Sequence, residues 1–96
     1  MRILGLDVGS KTIGVACSDA LLLTAQAVGT LKRQSRRKDC LALADICKEK
    51  EVHRIVVGKP SHMNGDKSAN TEKIEQFVEE LKKAVPQTEI VWWDER

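Results

Sequence analysis

Ile3-Leu4-Gly5-Leu6-Asp7-Val8-Gly9-Ser10-Lys11-Thr12-Ile13-Gly14-Val15-Ala16-Cys17-Ser18-Asp19 is the stretch on which the fold turns. From Arg2 to Val8 the residues are apolar on both alternating faces, as in a central strand covered on both sides. Gly9 to Thr12 is turn-like. From Ile13 to Asp19 large side chains (Ile13, Val15, Cys17) alternate with small ones (Gly14, Ala16, Ser18). Two strands joined by so short a loop form an antiparallel hairpin.

Outward from this hairpin, residues 24–32 are a third, weaker strand candidate. Ser35 is placed to N-cap a helix over 36–51, whose Cys40, Leu43, Ala44 and Cys47 follow helical spacing. His53 to Val57 are a fourth strand, closed by Gly58 and Pro60. A polar loop with an Asn64-Gly65 turn follows. A second helix over 70–84 aligns Ile74, Phe77, Val78 and Leu81, and Pro86 ends it. Thr88 to Trp93 are a fifth strand, and the sequence closes on Asp94-Glu95-Arg96. The order β-β-β-α-β-α-β makes strands 1, 4 and 5 parallel through right-handed crossovers, with strands 1 to 3 antiparallel. The expected fold is α/β: a mixed five-stranded sheet with helices on both faces.

Ninety-six residues allow one small domain, spanning residues 1–96. A hydrophobic fraction of 42% argues against disorder. Sixteen Lys+Arg against 14 Asp+Glu leave a net charge of +2, too balanced for a polybasic binder. No apolar run approaches the ~20 residues of a membrane helix. Met1 leads straight into a strand with no signal-peptide pattern. Cys17, Cys40 and Cys47 form an odd set without metal-type spacing, which suits buried reduced thiols. These features predict a cytoplasmic protein with no membrane partner.

Asp7 is the sharpest chemical feature. An ionised carboxylate near the end of a buried strand needs a cation or donors to satisfy it. It could cap the Gly9–Thr12 turn, or it could carry a ligand. Ligand sites in parallel α/β sheets lie beyond the carboxyl ends of the strands, and Glu95 sits at such an end too. If strand 4 separates strands 1 and 5, the two backbones are ~10 Å apart. Gly58 would stand between them and leave room for two carboxylates to converge on Mg²⁺ or Mn²⁺. Taken alone, Asp94-Glu95 reads more readily as a polar strand end. Lys32, Arg33, Arg36, Arg37 and Lys38 lie where a helix dipole disfavours cations. They fit a solvated surface or a phosphate backbone. His62 reads as an exposed loop residue. Trp92 and Trp93 could stack on bases, but adjacent strand positions place them more naturally under helices on each side.

The Ile3–Asp19 stretch resembles the opening signature of the YqgF/RuvX proteins, bacterial nucleases of ribonuclease H-like fold. Val57-Gly58-Lys59-Pro60 with Met63-Asn64-Gly65 is similar to their fourth-strand loop, and Trp93-Asp94-Glu95-Arg96 to their aspartate–glutamate–arginine motif. The likeness runs the length of the chain. Members of that family often carry Asn where His62 stands.

The resemblance implies metal-dependent processing of the 5′ end of the pre-16S ribosomal RNA, or cleavage of branched DNA. Asp7 and Glu95 would be the catalytic, metal-binding acids. Gly9, Lys11 and Arg96 would contact substrate, and the residues themselves suggest Arg33, Arg36 and Arg37 as further phosphate contacts. Family members continue beyond this motif into a helix with a third acid, so the 96-residue form is expected to be nearly inactive. An uncovered fifth strand would also favour self-association. Two other classes compete. One is a nucleotide-binding fragment of an actin-like ATPase, since those also open with an Asp-x-Gly hairpin. The other is a non-catalytic interaction module of the same fold.

Overall fold

A computed structural model describes residues 2–18, 25–60 and 69–95, with side chains left undescribed at 25–27, 59–60, 69–71 and 94–95. The elements follow the expected order: β1 (Arg2–Val8), β2 (Thr12–Ser18), β3 (Ala25–Lys32), α1 (Arg36–Lys50), β4 (Val52–Pro60), α2 (Ala69–Ala84) and β5 (Glu89–Glu95). The strands form one sheet in the order β3-β2-β1-β4-β5. β1 lies at its centre, antiparallel to β2 and parallel to β4, and β4 is parallel to β5.

The hairpin register is continuous from Leu4↔Cys17 to Val8↔Ile13. At its turn the Gly9 N–H donates to the Thr12 carbonyl at 2.8 Å. A Cβ on Gly9 would stand 3.0 Å from that same carbonyl oxygen, so the tightness of the turn favours glycine. β3 pairs with β2 through a bulge between Val15 and Ala16, and Gly29 there takes φ +144°, a conformation that side chains disfavour.

The Ser35 hydroxyl caps α1 by accepting from the Lys38 N–H at 3.1 Å, and Glu51 closes the helix in the left-handed region at φ 54°. β4 and β5 run further than their hydrophobic patterns suggest. β4 continues through Gly58 to Pro60, and β5 includes Asp94 and Glu95. Ladder pairing with a neighbour holds these polar ends extended: Lys59 lies opposite Asp94 and Pro60 opposite Glu95. His62 and the Asn64-Gly65 turn lie outside the described residues.

The helices depart from expectation. Both lie on one face of the sheet, where α1 packs against α2. One core joins Leu4, Leu6 and Val8 of β1 and Ile13, Val15 and Cys17 of β2 to Cys40, Leu43 and Cys47 of α1 and Ile74, Phe77, Val78 and Leu81 of α2. The reason is topological. β3 and β4 are parallel, so α1 is a crossover running from β3 past β2 and β1 to β4. α2 then crosses from β4 to β5 in the same direction. Two right-handed crossovers advancing the same way fall on the same side of the sheet. Among the described residues, the opposite face has no helix on it.

That difference also relocates the tryptophans. Trp92 shares the parity of Val57 on the helix side but stays 39% exposed, while Trp93 pairs with Gly58 on the bare side and is 64% exposed. Neither is buried under a helix.

Candidate active site

Asp7 occupies the bare face near the carboxyl end of β1. Its neighbours there have little or no side chain. Gly14 is its partner on β2, and Gly58 on β4 is level with it one residue beyond the Leu6↔Val57 pair. A Cβ added to Gly14 would lie 3.6 Å from the Asp7 Cβ, so glycine at that position keeps the flank of the carboxylate open. Gly5, Asp7, Gly14, Ala16, Gly58 and Trp93 help to line a shallow groove of about 450 Å³. The Asp7 side chain is exposed and has no hydrogen-bond or ion-pair partner among the described residues. It therefore does not cap the turn. The Gly9–Thr12 backbone bond and Arg33 hold the turn instead.

Across Gly58, β5 presents Trp93. Asp94 and Glu95 follow within the same strand. The side chains of both acids, and the whole of Arg96, are outside the description. Among the described residues no group of three or more His, Cys, Asp or Glu is arranged to hold a metal ion.

Arg33 is not a free phosphate contact. Its Nε donates to the Asp39 carboxylate at 2.7 Å, its Nη1 donates to the Gly9 carbonyl at 2.7 Å, and its guanidinium lies 5.2 Å from the centroid of the Phe77 ring. The Arg33 backbone N–H also donates to the Lys11 carbonyl at 2.9 Å. Asp39, only 2% exposed, accepts from the Gln34 N–H at 3.0 Å as well. A burial this deep leaves a charge viable only when paired and hydrogen-bonded, and here both conditions hold. The pair fastens the start of α1 to both ends of the turn that follows Asp7. Arg33 thus positions that turn. The sequence offered one signal for this, an acid in the first turn of a helix that follows a basic run, but that pattern does not reveal burial.

Arg36 links the helices through its Nη2, which donates to the Gln76 Oε1 at 2.9 Å. Lys11, Arg37 and Lys38 are exposed, as is Lys32 on β3. The thiols are buried and free, as expected. Burial pushes Cys40 up to about 11, with the negative charges of Glu80 and Asp39 adding to it, and also pushes Cys47 up to about 11. Such thiols are inert at neutral pH.

A central β1 flanked by an antiparallel hairpin and two parallel crossovers, with Asp7 on the face that no described helix covers, is a mixed α/β domain of ribonuclease H-like fold. Solved structures share this fold at low identity. Thermus thermophilus RuvC in complex with a Holliday junction substrate superposes with a TM-score of 0.68 at 11% identity, over 98% of this chain and 64% of that one. The fowlpox virus resolvase, solved with Holliday junction DNA, gives 0.55 at 19% identity, over 98% and 60%. A Bacteroides thetaiotaomicron protein of actin-like ATPase fold gives 0.56 at 15%, over 96% of this chain but 32% of that one.

The family model for RuvX, described as Holliday junction resolvase, matches residues 1–96, and the chain belongs to that family. A Clostridium tetani protein named "Putative pre-16S rRNA nuclease" is 51% identical over all of this chain and 69% of its own length. A Clostridioides difficile protein of the same name is 52% identical over 99% of this chain and 67% of its own. This chain thus spans about two thirds of the length of such relatives. No helix among the described residues is long and apolar enough to cross a membrane.

Proposed function

We propose that this chain is the larger part of a divalent-metal-dependent nuclease that processes the 5′ end of pre-16S ribosomal RNA in the cytoplasm. The observation that carries the reading is Asp7: an exposed carboxylate with no partner among the described residues, flanked by glycines, at the strand end where α/β sheets bind ligands. Hard oxygen donors of this kind suit Mg²⁺ or Mn²⁺, and the open groove beside Asp7 gives such an ion access. By strand alternation residue 95 has the parity of Trp93, which lines the same groove. Glu95 is therefore the second acid of choice. A divalent ion held there supplies Lewis-acid stabilisation of the phosphodiester and lowers the pKa of an attacking water.

The chain's own residues orient the substrate. Lys11, on the turn braced by Arg33, is exposed to meet a phosphate, and Arg37 is exposed on the first turn of α1. Gly9 and Arg96 complete the contact set by resemblance. The relatives' names favour ribosomal RNA, and the family description favours branched DNA. The ATPase reading rests on fold likeness alone. Self-association belongs to the same picture, with the exposed Trp93 as its contact. A strictly monomeric chain in sedimentation at high concentration would remove that element.

The test is cleavage in Mn²⁺ of a 5′-extended pre-rRNA transcript and of a four-way DNA junction. Both the 96-residue chain and a fusion completed with the C-terminal part of the Clostridium tetani relative are assayed. The fusion should cut and the short chain should cut weakly or not at all. Asp7→Asn should reduce the fusion's rate by about 10³-fold or more, the loss expected when a metal-binding acid is removed. Equal rates for wild type and Asp7→Asn would sink the nuclease reading.

A further inference from the structure

A second concavity lies on the helix side of the same strand end. It is a cleft of about 400 Å³ whose walls include Gly9, Ser10, Ser35, Arg36, Lys73 and Gln76. Three elements meet there: the turn after β1, the start of α1 and the N-terminal half of α2. Among the described residues no acidic side chain lines it. Asp39 lies nearby but is buried and engaged with Arg33. Arg36 and Lys73 are both exposed. Among the described residues Arg36 bonds to the neutral Gln76, and none pairs with Lys73.

Two cations brought to one cleft repel each other. Arg36 also opens α1, where the helix dipole is already positive. An anion in the cleft would offset both unfavourable terms. The polar lining, with a serine hydroxyl on each side and an amide between the helices, supplies neutral donors for phosphate oxygens. The cleft begins at Gly9 and Ser10, directly after the Asp7–Val8 strand end. The cleft and the Asp7 groove therefore share one end of the sheet, on its opposite faces.

We infer that this cleft binds a backbone phosphate of the nucleic acid, flanking the one presented to Asp7, with Arg36 and Lys73 as its cationic contacts. The inference rests on the nuclease reading and adds a second subsite to it. It also assigns a role to Lys73, on α2, which lies outside the basic run of residues 32–38.

The experiment is fluorescence-anisotropy binding of duplex RNA and of a four-way DNA junction to the 96-residue chain in EDTA, so that no cleavage intervenes. Wild type is compared with Arg36→Gln/Lys73→Gln. A control, Lys82→Gln/Lys83→Gln, removes the same charge at the far end of α2. The cleft variant should bind about tenfold more weakly near 100 mM salt, and its log K against log salt slope should be about 2 units shallower. The control should change by less than about twofold at that salt, as distant exposed charges are largely screened. Equal losses in both variants would reduce the effect to net charge and overturn the site, as would an unchanged cleft variant. Failure of wild type to bind either nucleic acid would also overturn it.

ATP and inorganic phosphate are the comparison ligands. If the cleft variant loses these but keeps duplex binding, the cleft is a mononucleotide site and the inference fails. Loss of cleavage in Asp7→Asn is read separately, so a failed cleft and a failed nuclease reading give different patterns.

Discussion

Leu4, Leu6 and Val8 point to one side of β1 and are all buried, whereas Ile3, Gly5 and Asp7 point to the other and none of them is. The same division runs across the sheet. On β2 it separates Ile13, Val15 and Cys17 from Gly14 and Ala16, and on β4 it separates Ile55 and Val57 from Val56 and Gly58. One face is large, branched and dry, and it meets both helices. The other is open and small-residued around Asp7, and that carboxylate has no partner among the described residues. Stability and chemistry are thereby assigned to opposite sides of a single layer. Substitutions on the covered side should move stability, and those on the open side should move function.

The largest effect should come from the centre of the covered side. Phe77 is fully buried against the sheet and under the Arg33 guanidinium. Phe77→Ala should cost about 3–5 kcal/mol in urea unfolding, through lost burial and a residual cavity. A loss under 1 kcal/mol would break the comparison.

Asp39→Ala comes next. It leaves Arg33 without its acid partner, although the guanidinium keeps 24% exposure and its bond to Gly9. About 2–3 kcal/mol is expected, below the full penalty for an unpaired buried charge. The amide resonances of Gly9 to Thr12 should shift in the same variant, because the turn loses its brace. Unshifted resonances would show that the turn stands without Arg33.

A smaller effect concerns the thiols. Folded Cys40 and Cys47 are pushed from 9.0 to about 11, so the folded state holds these protons more tightly than the unfolded state does. Their stabilising contribution is complete below pH 9 and is lost as pH rises towards 11. The urea midpoint of wild type should fall across that window more steeply than that of Cys40→Ala/Cys47→Ala. Parallel curves would contradict the assignment. The smallest change is expected on the open face: Trp93→Ala should alter stability by no more than about 0.5 kcal/mol.

Most of this architecture was legible from local patterns. The tight turn after Val8 dictated the hairpin, the helical stripes dictated α1 and α2, and parallel pairing followed from the crossovers. The side taken by the helices was equally implicit in the strand order, but alternating apolar residues on β1 suggested cover on both faces. Ile3 and Gly5 are apolar without being packed under a helix, so hydrophobicity alone did not distinguish them. The Arg33–Asp39 pair was not legible. Its members lie in a basic run and a polar helix start, where solvent exposure is the usual expectation. The hydrophobic pattern of β5 stops at Trp93, and only ladder pairing carries the strand through Asp94 to Glu95. Asp7 stood out because a charge within an apolar strand has few structural explanations.

The central claim is that the open face, through Asp7, holds the metal. Titrating Mn²⁺ into the ¹⁵N-labelled chain and following paramagnetic broadening of its amides tests this most directly. The account predicts that broadening centres on Asp7, Gly14 and Gly58 and on the β5 end at Glu95, and that Asp7→Asn abolishes it while the fold is retained. Broadening centred on the exposed acids of the helices, or unchanged in Asp7→Asn, would contradict it.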